Sequence, residues 1–170
     1  GLWRMGMQIV DAGGLVIAFQ VEVADSLPGQ IGQFAVRVIA NDGALSEPIA
    51  TLEDVAVDAD GHFELVLEGA VLPADYSPTN DDLAVSLTLS GETRDDFFCG
   101  GITGTVDTLN LPITMSTFGA TPWPSEETPA NCDWVPGAVN FADIGTPERP
   151  ARVQLPMTHD PSMRWPVIMV

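Results

Sequence analysis

The chain has 170 residues with 45% apolar content, enough for one domain with a substantial core and short for two. It carries 24 Asp and Glu against six basic residues, a net charge of −18, and the six are all arginine: Arg4, Arg37, Arg94, Arg149, Arg152 and Arg164. A lysine-free surface this acidic repels phosphate backbones and anionic lipid, which excludes nucleic-acid binding and electrostatic membrane attachment.

The N-terminal stretch reads as a hairpin. Trp3, Met5, Met7 and Ile9 fall on one face, and Asp11-Ala12-Gly13-Gly14 turns the chain. Leu15, Ile17, Phe19, Val21 and Val23 line one face of the return strand. Further strands are predicted near Gln33–Ala40, which Asn41-Asp42-Gly43 ends, at Ile49–Val57 and at His62–Leu67. In the last of these Phe63, Leu65 and Leu67 point inward and His62, Glu64 and Val66 outward. Gly69 to Asp82, with Pro73 and Pro78, reads as a loop.

Leu83 to Ser116 then reads as a three-strand meander. Leu83, Val85, Leu87 and Leu89 alternate with small polar residues, Ser90 to Asp96 is a turn-rich break, and the chain returns as Phe97–Val106 and Leu109–Ser116. About eight strands and no 3.6-residue period predict an all-β fold, an antiparallel sandwich or an up-and-down barrel. The domain is expected over residues 1–118, followed by a proline-rich extended arm over 119–170 that holds nine of the fourteen prolines from Thr121 onward.

Cys99 and Cys132 predict one disulfide, which would pin the arm to the β domain and place the protein outside a reducing compartment. No run of 18 apolar residues is present, so no membrane-spanning segment is expected. Because the chain starts at Gly1 with no Met, it reads as a processed or trimmed product, and any export signal or lipid-bearing cysteine would lie upstream. Periplasm, cell surface or extracellular space are the compartments this implies.

The last 24 residues differ in charge: three arginines against Glu148 and Asp160 give them +1, leaving −19 for residues 1–146. Arg149, Arg152, Val153, Leu155, Met157, Arg164, Trp165, Val167, Ile168 and Met169 make this end apolar and basic, a surface that would dock on something. The role expected is therefore a non-enzymatic structural or accessory subunit of an exported assembly, its arm adding to a neighbouring protein subunit of the same or another kind.

Other chemistry is sparse. Asp58-x-Asp60-Gly61, with Glu64 nearby, has the start of a calcium loop, but position 5 is His62 and position 12 is Gly69, so a hairpin turn is the expected structure. Calcium is the one metal such carboxylates would take, and no other cofactor is expected. Met157, His159, Met163 and Met169 are ligand types suited to Cu(I), without the tight repetition a copper site uses. Two histidines, no Gly-x-Ser-x-Gly elbow and no phosphate-binding glycine loop argue against an enzyme. A calcium-dependent surface or carbohydrate-binding module is a further alternative, with Trp123 or Trp134 as sugar-stacking candidates.

The opening Gly1-Leu2-Trp3 resembles the Gly-x-Trp of lipocalins and other calycins, and Ala74-Asp75-Tyr76 faintly resembles their Thr-Asp-Tyr. The resemblance implies an eight-stranded barrel closed at one end by Trp3 and carrying a small apolar ligand, in a pocket lined by residues such as Trp3, Met5, Phe19, Phe34 and Phe63. The family's arginine near the last strand and its C-terminal helix have no counterpart here. More broadly, the pattern resembles exported β-domains and lipoproteins of Gram-negative bacteria.

Overall fold

The computed structural model describes residues 1–94 and 97–133, together with the backbone of 141–143 and 152–154. Eight strands follow one another in chain order: β1 (Leu2–Ile9), β2 (Leu15–Ala24), β3 (Gln30–Val38), β4 (Ala50–Ala56), β5 (His62–Leu72), β6 (Leu83–Arg94), β7 (Phe97–Val106) and β8 (Leu111–Pro122). All pair antiparallel in one sheet of order β4-β3-β2-β1-β8-β7-β6-β5. The N-terminal strand therefore sits in the middle, with β8 returning to its free side. The sheet curls until its edge strands meet at the bridge Val57–Phe63, making a nearly closed barrel. Of the two predicted architectures, the barrel is the one formed.

Alternation explains the core. Met5, Met7, Phe19, Val21, Phe34, Val36, Leu65, Leu89, Ile102 and Phe118 are buried from seven strands into a common interior. At one end of the barrel Trp3, Phe34, Phe63, Phe98 and Phe118 form a ring cluster, with centroids 5.0–6.4 Å apart. These tilted and edge-on contacts fill that half with aromatic side chains.

Three strands run further than the sequence pattern predicts: β8 continues past Ser116 to Pro122, into residues expected in the arm, and β5 and β6 are extended as follows. Strand β5 continues past Leu67 to Leu72 through a register shift before Ala70, where Gly69 takes φ 60°. Strand β6 continues through Ser90–Arg94, where a turn-rich break was expected, because this polar stretch is paired on both sides, with His62–Glu64 of β5 and Phe97–Gly101 of β7. Gly91 is needed there: a Cβ would lie 2.6 Å from the Phe63 ring. The glycine reads as a turn residue in sequence and serves as room for an aromatic ring in the fold.

The compact unit extends over Gly1–Cys132. Beyond it, in a separate unit, Phe141–Asp143 (β9) pairs antiparallel with Arg152–Gln154 (β10), Arg152 opposite Asp143. No helix among the described residues is long and apolar enough to cross a membrane.

Candidate functional site

After β8 the chain folds back along the outside of the barrel as a strap. Trp123 N–H donates to Leu2 O at 2.9 Å, continuing the pairing with β1. Arg4 then holds the strap: its Nε donates to Thr128 Oγ1 at 2.7 Å, its Nη1 to Ser125 O, and its guanidinium lies 5.9 Å from the Trp123 ring centroid. Further along, Gly6 N–H donates to Pro129 O at 2.9 Å and Thr117 Oγ1 donates to Ala130 O at 2.7 Å. The strap ends at the Cys99–Cys132 disulfide, whose Cα atoms are 5.1 Å apart.

The seat for the strap is a row of small residues across three strands. Gly6 of β1 is opposite Gly119 of β8, which is opposite Cys99 of β7. A Cβ on Gly6 would lie 2.5 Å from Pro129 O, and one on Gly119 would lie 2.9 Å from Asn131 O. The two glycines leave room for a backbone to lie flat on the sheet.

Inside the barrel, at the end opposite the aromatic cluster, is a cavity of about 160 Å³. Met7, Phe19, Leu67, Leu87, Ile113 and the facing pair Val85–Val106 form its walls. Ala12, Leu109, Pro78 and Thr79, all exposed residues of turns and loops, also line it, as do Ile49 and Leu72. No polar atom is exposed on its wall. Of the pocket residues expected from the sequence, Met5, Phe19, Phe34 and Phe63 all reach the interior, but among them Phe19 alone lines this cavity. Trp3, Phe34 and Phe63 instead border a recess of about 250 Å³ at the aromatic end, beside Phe97, Phe98 and Arg94.

In a comparison with known proteins, no family model, no curated protein and no solved structure matches this chain.

At Asp58-Ala59-Asp60-Gly61 the chain forms the expected turn between β4 and β5. Asp58, Asp60 and His62 come together, and Glu64, two residues further along β5, is not among them. Asp58 is occupied with the turn itself: its Oδ1 accepts the N–H of Asp60 at 2.9 Å and of His62 at 2.8 Å, and its Oδ2 is 3.2 Å from His62 Nδ1. The His62 backbone N–H is the main cause that holds this carboxyl below its usual range, against a smaller opposing desolvation. This is a hairpin turn built by an aspartate.

Among the docking residues, Arg152 and Val153 lie in β10, described by its backbone alone. Arg149, Leu155, Met157, Arg164, Trp165, Val167, Ile168 and Met169 lie outside the described residues, as do His159, Met163 and Trp134. Trp123 is partly covered and faces Arg4. Phe19 apart, the lining of the cavity was missed at the sequence level, since it has the same composition as an ordinary core.

Proposed function

We propose that this chain is an exported, non-enzymatic binding domain whose barrel holds a small apolar ligand. The observation that carries this reading is the 160 Å³ cavity with no polar atom on its wall. Protein interiors are packed to the density of organic crystals. Apolar wall atoms without neighbours forfeit dispersion contacts. An apolar occupant recovers part of these, and an apolar wall offers a polar solute nothing in return for its lost water. The disulfide supports an oxidising compartment.

The test is xenon binding to the full chain, followed by NMR. Saturable shifts of the methyl groups of Leu67, Val85 and Ile113 are expected, as for other dry apolar cavities of this size. Absence of any saturable shift would sink the reading.

A second reading, an accessory subunit that docks through its C-terminal residues, is favoured by a separate observation. The strap and disulfide fix the chain at Cys132, and the apolar, arginine-bearing segment follows. Comparing the native mass of the full chain with that of residues 1–133, in the source extract, tests it. Loss of a large assembly on truncation supports subunit docking, and two monomers of unchanged fold argue against it.

A further inference from the structure

We infer that the ligand of this barrel is a compact, uncharged molecule of monocyclic aromatic size, and that long-chain lipids and amphiphiles are excluded. The inference rests on the binding reading above and narrows it. Three features of the interior decide the class.

The first is volume. A dry cavity of roughly 150 Å³ lined by Leu, Ile and Phe accepts benzene, and this one has about 160 Å³ with the same kind of wall. Sites for drug-sized molecules run from about 300 Å³ upward. The second is depth. Met5, Leu65, Leu89 and Ile102 are each under 2% exposed, in the middle of their strands between the two ends of the barrel. They separate the cavity from the recess at the aromatic end, so an acyl chain cannot thread from one to the other. The third is chemistry. With no polar atom on the wall, nothing inside the cavity meets a carboxylate, hydroxyl or phosphate, and burying one there without a partner is unfavourable. A ligand is therefore recognised by shape alone. Its contacts are dispersion contacts, which fall away steeply with small gaps.

Val85 is the position to vary, because it is partly buried and faces Val106 across the cavity wall. Val85→Phe fills the space, and Val85→Ala enlarges it at modest cost to folding. The full chain and both variants are melted with saturating benzene, propylbenzene or laurate, since a ligand that binds the native state raises Tm. The expected result is a saturable rise with benzene in the wild type, its loss in Val85→Phe, and a roughly tenfold gain in propylbenzene affinity in Val85→Ala. The gain in the enlarged variant cannot arise from misfolding. If laurate stabilises the wild type more than benzene does, the size and polarity limits are wrong while the binding reading stands. If benzene binds equally well to all three proteins, the cavity is not its site. If no probe binds and xenon is also silent, both the class and the binding reading fall.

Discussion

Asp58 shows how much one side chain does in a turn that resembles a metal loop. Its carboxylate accepts two backbone N–H groups and faces the His62 ring, so the charged form is favoured and the pKa is lowered. A group whose pKa is lowered by folding adds stability above its unfolded value, near pH 4, and loses it as pH falls through the folded value. Asp58→Asn keeps an acceptor oxygen and removes the charge. The variant is expected to show a smaller fall in Tm than wild type between about pH 5 and pH 2, while calcium leaves both melting curves unmoved. The glycines are read on the same scale. Gly119→Val drives a side chain against Asn131 under the strap and should cost about 1–3 kcal/mol in urea unfolding. Gly101→Val, on the neighbouring strand, meets no atom within 4 Å and should stay within about 0.5 kcal/mol of wild type.

At the level of elements, the strap joins sequence-distant parts by hydrogen bonds from Arg4, Gly6 and Thr117, and the disulfide closes a loop with a separation of 33 residues. In the chain-entropy account such a loop contributes about 3–4 kcal/mol. The double variant Cys99→Ala, Cys132→Ser should lose that much in denaturant titration and retain its far-ultraviolet β spectrum, because all eight barrel strands pair without it. The pairing was legible in the sequence from there being two cysteines. The inward faces of β1, β2 and the first half of β5 were legible too, since period-2 alternation survives wherever one face is buried. Ser90–Arg94 was not. Gly91, Glu92 and Thr93 look like a turn, and it is the pairing partners on either side, with the Phe63 ring against Gly91, that make them a strand. The cavity was illegible for a different reason: a void is a property of how side chains meet, and Val85 or Leu87 reads the same whether its neighbour touches it or not.

On the scale of the molecule, the acidic charge is carried by a barrel whose three arginines are all engaged: Arg4 with the strap, Arg37 with Ser46 O and Glu47, and Arg94 with Glu92 and Cys132 O. The two edge strands show how such a barrel resists adding strands from other chains. Glu53 and Asp54 on β4, and Glu64 and Glu68 on β5, are exposed, and Asp54 takes φ 55° and bonds to Gln30. Charge and a local kink are what keep an open edge from pairing. The seam between those strands is bridged at Val57–Phe63, at the aromatic end, while Ile49 and Leu72 border the cavity at the other. Strand β4 thus holds to β3 along its length and to β5 at one point. A strand with one full neighbour opens at lower free energy than one with two, so the amides of β4 should exchange with deuterium well before those of β1 or β8. Because Ile49 precedes β4 and lines the cavity, that same opening would part the cavity's side, so a change in the exchange of β4 amides on adding benzene would link the proposed occupant to the breathing of a single strand.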